Sequence, residues 1–240
     1  VVLVKSFATE AAIKQAAPLI GPETVVMSLQ NGLGNEKIIE EEIGSEKIIG
    51  GKAYVGGVLK APGKNIPGVV GKEICIGEMT GKTTERIQKI AQEFNEGGII
   101  TKISDNIKGM IWDKLLINVA TGALAGITGL GYGDLYKIKD IEETAFAAIE
   151  EGINVAKANK VILMTEKPKE IWEKAAAGLP YGFKTSILQS LEKKQRSEVD
   201  FINGAVVRWG KKLNVETPVN HALTACVKGI EMRNEVTSIE

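Results

Sequence analysis

The 240-residue sequence is short of several things that would point to particular chemistries. It has two cysteines, Cys75 and Cys226, and one histidine, His221. Two distant cysteines make no disulfide framework, and with one histidine they make no zinc site. No metal is therefore expected, and a reducing, cytoplasmic compartment is indicated. A sole histidine also leaves no Ser-His-Asp arrangement to build on, so His221 reads as a surface or structural residue. There is no excess of either charge, with Lys+Arg and Asp+Glu both at 30. A broad basic face for nucleic acid is not expected. No uninterrupted apolar run reaches the roughly 18 residues of a membrane span, and no signal peptide is visible. Internal repeats, low-complexity tracts and long linkers are missing too. The chain also opens without methionine, on Val1-Val2-Leu3-Val4. This reads as a buried strand beginning in mid-flow, and we expect an N-terminal portion to precede it.

What is present is ordinary for a globular protein: 44% hydrophobic and 25% charged residues. The length allows one large domain or two small ones. Residues 1 to 104 alternate strand and helix patterns. Strands are expected at Val1–Val4, Thr24–Leu29, Lys47–Tyr54, Glu73–Gly77 and Ile99–Ile103. Helices are expected at Glu10–Ile20, with Ala11, Ala12, Ala16 and Leu19 inward, then up to Glu42, and at Thr83–Phe94. Repeated βα units imply a mainly parallel, layered sheet. The helix-free stretch at 47–77 suggests that part of it turns antiparallel, with short strands and loops between Gly56 and Gly71.

From Asp105 the strand signal stops. Asp105 or Asn106 can cap a helix running through Trp112 and Asn118. Gly122, Gly126, Gly129, Gly131 and Gly133 then loosen the chain. Helices follow at Asp140–Asn159, Pro168–Ala177, Ser186–Lys194, Glu198–Leu213 and Pro218–Arg233. The reading is an α/β domain over 1–104 followed by an all-α domain over 105–240, with a ligand in their cleft.

Three stretches carry possible chemistry. In Trp112-Asp113-Lys114-Leu115-Leu116-Ile117-Asn118, Lys114 and Asn118 are four apart and stack on one helical face. Such a pair can hold an oxygen-rich small molecule, with the lysine giving up a proton. Alternatively it is a surface lysine and a tolerated asparagine. Gln30-Asn31-Gly32-Leu33-Gly34-Asn35 leaves a strand and enters a helix. It is not a dinucleotide fingerprint, because Lys37 stands where a third glycine or alanine belongs, but it allows close backbone approach to a ligand. Ser197 with Asp200 looks like a capping box, which would explain Glu198 in a first helical turn. Gly204 inside a helix suggests close packing against another element.

In order and spacing these pieces resemble the ketopantoate reductase family. The matching residues are Val4-Lys5-Ser6-Phe7, Gln30 to Asn35, Lys114 to Asn118, Ser197 to Val207, and Thr217-Pro218-Val219-Asn220. The resemblance runs from Val1 to about Arg233. It implies a Rossmann-type NADP-binding domain, present in part, and a helical domain of the 6-phosphogluconate-dehydrogenase-like kind. The implied reaction is NADPH-dependent reduction of 2-dehydropantoate to (R)-pantoate, a step toward pantothenate and coenzyme A. Lys114 falls on the catalytic lysine, which donates a proton to the carbonyl oxygen and stabilises the developing alkoxide. Asn118 and Ser186 match substrate-binding residues, and Glu198 matches a glutamate near cofactor and substrate. Lys5 and Asn31 match positions beside the cofactor, and Gly56 falls where backbone meets it.

Two departures stand out. The family's Gly-x-Gly-x-x-Gly belongs to a segment before Val1, so NADP-selecting residues are not among those read here. Members also often carry a second asparagine where this chain has Gly122. The alternatives are a related 2-keto-acid or 3-hydroxyacid dehydrogenase, and a non-catalytic dimerisation or ligand-binding remnant. A homodimer is expected by analogy.

Overall fold

The computed structural model describes residues 1–53, 57–67 and 73–236. The chain divides into two compact units, Val1–Gln30 with Asn35–Ile111 and Asn31–Gly34 with Trp112–Glu240.

The first unit is built on four strands, β1 (Val26–Ser28), β2 (Ile48–Ala53), β5 (Ile74–Glu78) and β6 (Thr101–Ile103), in the order β1-β2-β5-β6. The β1/β2 and β5/β6 pairs are parallel, while β2 and β5 run antiparallel with Gly51 opposite Ile76. The reversal has the expected cause. Between β2 and β5 the described residues hold no helix, but a hairpin of β3 (Gly57–Ala61) and β4 (Lys64–Pro67). Parallel neighbours need a crossover, and a hairpin does not supply one.

Alternation along the strands sends side chains to two cores. Met27, Ile49, Ile74 and Ile76 pack with Ile87 and Ala91 of α3 (Glu85–Glu96). Val26 and Ile48 pack with Ile13 of α1 (Thr9–Ala16) and Ile39 of α2 (Asn35–Ile43).

Two expectations fail in this unit. Val1–Val4 is no full strand: only Val2 bridges, to Ser28, while Val1, Leu3 and Val4 are exposed. A ladder needs successive rungs, and one is made. The helix after Thr9 buries Thr9 and Ile13 rather than Ala11 and Leu19, and Leu19 is 82% exposed. Pro18 follows the α-helical turns with a 3-10 turn, Ala17–Leu19. At about 3.6 residues per turn, Leu19 falls roughly a third of a turn round from Ile13, off the buried face.

The second unit is helical. Its centre is α4 (Ile107–Thr128), capped by Asn106, whose side-chain oxygen accepts from the Gly109 amide at 3.2 Å. The residues of α4 up to Ile111 fall in the first unit. Around α4 come α5 (Tyr132–Leu135), α6 (Lys139–Ala158), α7 (Pro168–Ala176), α8 (Ser186–Glu192), α9 (Asn203–Leu213) and α10 (Pro218–Val236). They share one core with Leu115, Leu116, Val119, Ala148, Ile149, Trp172, Ile187 and Val206. Among the described residues α4 is the one helix long and apolar enough to cross a membrane, and 72% of its apolar window is buried inside the protein. It is a core helix.

The expected loosening at Gly122 and Gly126 does not occur, because α4 continues through both. Ile187 is the reason. A Cβ on Gly122 would stand 3.0 Å from Ile187 Cδ1, and one on Gly126 would stand 2.8 Å from Ile187 Cγ2. These glycines let α8 approach α4; only at Gly129, with φ +73°, does the chain turn out. The proposed capping box is also corrected. Ser197 Oγ accepts from Val199 N at 3.2 Å, two residues on, and Asp200 pairs with Lys228 at 2.9 Å. A 3-10 turn, Val199–Phe201, precedes α9, which starts only at Asn203. Gly204 packs as expected: a Cβ there would lie 3.2 Å from Val199 O and 3.5 Å from Thr224 Cγ2.

Candidate active site

α4 buries one side completely. Trp112, Leu115, Leu116 and Val119 are each 2% exposed or less, so the register of the helix is fixed by the core. Lys114 and Asn118 fall off that stripe and are half-buried, one turn apart. The preceding Asp113 is buried and accepts from Met164 N with both carboxylate oxygens, at 3.2 and 3.3 Å. The Lys114 backbone therefore sits between pinned neighbours. One turn past Asn118, Thr121 Oγ1 lies 2.9 Å from the Tyr132 hydroxyl.

Ser186 begins α8 and is exposed. Its neighbours carry it to α4: Thr185 Oγ1 donates to Gly122 O at 3.5 Å and accepts from Leu188 N at 3.2 Å, while Ile187 seats on Gly122. Glu198 is buried, 5% exposed, at the head of the 3-10 turn. That turn is braced from α10, where Glu231 accepts from Ser197 N at 2.7 Å. Burial raises the Asp200 carboxyl, but Lys228 and Arg196 outweigh it and bring it below the ordinary value.

Asn31 is half-buried in the loop Asn31–Gly34, which clusters with the helical unit. Leu33 N donates to Phe201 O at 2.8 Å. Gly32, at φ +85°, lies so close that a Cβ would be 2.6 Å from Phe201 O. The loop of Asn31 thus rests on the turn of Glu198. The helical unit carries five sequence-derived positions in two groups: Lys114 and Asn118 with Ser186 through Gly122, and Asn31 with the Glu198 turn.

The other two positions belong elsewhere. Lys5 is exposed in the first unit, before the 3-10 turn Ser6–Ala8, and its carbonyl accepts from Ala8 N at 2.8 Å. Gly56 lies outside the described residues. His221 is exposed on α10. Among the described residues no group of three His, Cys, Asp or Glu is arranged to hold a metal ion.

Sequence reading missed a buried polar cluster in the first unit. Ser6, Thr9, Ser28, Gln30, Asn35 and Glu36 are all 9% exposed or less. The signal was the run of hydroxyl and amide residues on both sides of the glycine loop. Burial pushes the Glu36 carboxyl above its ordinary value, against the lowering effect of its own backbone amide and of Ser28.

Comparison with known proteins decides the lineage. The family model described as ketopantoate reductase PanE/ApbA matches residues 1–81, and the C-terminal model of the same family matches residues 106–231. The chain belongs to the ketopantoate reductase family. A 2-dehydropantoate 2-reductase of Aquifex aeolicus is 31% identical over 98% of this chain and 76% of its own length. That of Pyrococcus horikoshii is 32% identical over 95% of this chain and 73% of its own. Among solved structures, a PanE/ApbA family ketopantoate reductase from Ralstonia eutropha is 30% identical with a TM-score of 0.88, covering 97% of this chain and 75% of that one. A D-mandelate dehydrogenase in complex with NADH and anilino(oxo)acetate is 27% identical with a TM-score of 0.88, over 98% of this chain and 78% of that one. The fold is therefore the expected one, a Rossmann-like unit followed by a helical unit.

Proposed function

We propose that this chain carries the reacting residues of an NADPH-dependent 2-dehydropantoate 2-reductase, forming (R)-pantoate on the way to pantothenate and coenzyme A. The observation that carries the reading is the half-buried Lys114–Asn118 pair on a core helix whose register cannot slip. Family membership supplies the reaction class.

The residues present fit a nicotinamide cofactor. The glycine loop leaves the carboxyl end of β1, the end at which open α/β sheets take dinucleotides. Gly34, at φ +106°, has nothing within 4 Å of where a side chain would stand, so the backbone there is open to a ligand. Lys5 offers an exposed cation. We assign Lys5, Asn31, Glu198 and, by family resemblance, Gly56 to cofactor binding. The bound reduced nicotinamide supplies a hydride to the C2 carbonyl. Lys114 donates the proton to the carbonyl oxygen, and its charge stabilises the alkoxide as it develops. Asn118, Ser186 and Asn31 orient the keto acid, and Glu198 completes the charge arrangement around Lys114. Holding the keto acid in one pose removes much of the entropic barrier. We place the enzyme in the cytoplasm and expect a homodimer, to be checked by sedimentation.

The test is oxidation of NADPH by the full polypeptide with 2-dehydropantoate as oxidant. Turnover supports the reading, and no turnover with any 2-oxo acid defeats it. A second reading keeps the reaction class and changes the substrate to another 2-oxo acid. Gly122 favours it, since no amide stands one turn beyond Asn118. Turnover with other 2-oxo acids but not with 2-dehydropantoate would select it.

A further inference from the structure

We infer that Thr9, Gln30, Asn35 and Ser6 form a positioning relay for cofactor binding. The relay is continuous and directional. Gln30 Nε2 donates to Val4 O at 2.8 Å and to Thr9 Oγ1 at 2.7 Å. Thr9 Oγ1 passes its hydrogen to Asn35 Oδ1 at 3.0 Å. Asn35 Nδ2 donates to Ser6 Oγ at 3.3 Å. Ser28 Oγ closes the other end on Gln30 Oε1 at 3.3 Å. Thr9 and Asn35 are fully buried, Ser6 is 1% exposed and Gln30 8%. The Val4 carbonyl can only accept, so the Gln30 amide cannot be turned round without losing that bond.

What the relay joins gives it a purpose. Gln30 and Asn35 are the residues on either side of the loop Asn31–Gly34. Val4 and Ser6 are the residues on either side of Lys5. One network therefore fixes the roots of both segments assigned to the cofactor, and Thr9 is its midpoint. Folding alone does not call for it: a buried apolar contact of similar volume stabilises as well as a buried polar network, while the network specifies one geometry. Thr9 reaches no ligand itself; it acts through the loop and the Lys5 turn. This inference rests on the assignment of Lys5 and Asn31 to the cofactor.

The experiment compares Thr9→Val, which keeps the shape and removes the hydroxyl, with Thr9→Ser, which restores it. In the full polypeptide, NADPH binding is followed by nicotinamide fluorescence and turnover is measured with a 2-oxo acid that the parent reduces. Thr9→Val should raise Kd and KM for NADPH about tenfold and leave kcat within about twofold, with Thr9→Ser close to the parent. A lower melting temperature with unchanged NADPH affinity in Thr9→Val makes the network purely structural and overturns the inference. Should Thr9→Val not fold, Ser6→Ala, which removes the hydroxyl that accepts from Asn35, should weaken NADPH binding about threefold; unchanged affinity overturns the inference equally. Failure of the parent to bind NADPH would sink the cofactor reading itself. Tight binding by parent and Thr9→Val alike would sink only the relay.

Discussion

The amide of Leu33 donates to the carbonyl of Phe201 across 2.8 Å, tying the loop of Asn31 to the turn headed by Glu198. Gly32 makes this contact possible. A side chain there would meet Phe201 O at 2.6 Å and Phe201 Cβ at 2.8 Å, on a backbone already at φ +85°. Gly32→Ala should therefore lower stability by about 1–3 kcal/mol and push the loop off the turn. Thermal melting and the KM for the keto acid check this together. Both should worsen, and a variant that melts like the parent would show that the loop yields freely.

Lys114→Ala removes the proposed proton donor while leaving the core face of α4 untouched. We expect kcat to fall at least tenfold, in line with the usual contribution of a positioned acid. Pre-steady-state hydride transfer is the direct measurement. Near-normal turnover would remove Lys114 from the acid role.

Gly122→Asn tests the missing amide. Its Cβ would stand 3.0 Å from Ile187 Cδ1, the far end of a flexible side chain, so the single variant should lose about 1–2 kcal/mol. Adding Ile187→Ala makes room for the amide beside Ser186. The double variant should lower the KM for 2-dehydropantoate several-fold, as one hydrogen bond to a charged group would. An unchanged KM would mean that the substrate does not reach position 122.

Glu36→Gln tests the buried carboxyl. Its folded pKa is raised above the ordinary value of 4.5, burial being the largest cause. The folded state thus holds the proton more tightly than the unfolded state. The stability this gives is full below the unfolded pKa and is lost as pH rises through the folded one. Relative to the parent, Glu36→Gln should gain stability as pH rises above the ordinary carboxyl value of 4.5, the gain growing with pH until the folded carboxyl has lost its proton. Denaturation midpoints over a pH series read the difference, and parallel curves would rule the effect out.

Local helix geometry was more legible than the packing. Lys114 and Asn118 could be placed from spacing alone, since four residues on an α-helix share a face whatever surrounds it. The antiparallel turn of the sheet could be read from a missing helix between Lys47 and Gly77. Other features were hidden because they depend on a partner distant in sequence. Gly122 and Gly126 look like helix breakers until Ile187 is laid against them. Ser197 and Asp200 have capping-box spacing, yet Glu231 and Lys228 recruit them first. Gln30 and Asn35 were visible as part of the loop motif, but nothing local revealed that Thr9 joins them. The lone strand rung at Val2 likewise shows that β-propensity makes a strand only where a neighbour offers a ladder.

On the role proposed for Glu198, the brace from Glu231 to Ser197 ties the last helix to the reaction, although no residue of that helix is assigned to chemistry. A deletion or fusion that displaces α10 near Glu231 would therefore act at a distance of 33 residues in sequence, on Glu198. That role predicts that the protein's tolerance to changes around Glu231 is set by catalysis as well as by folding.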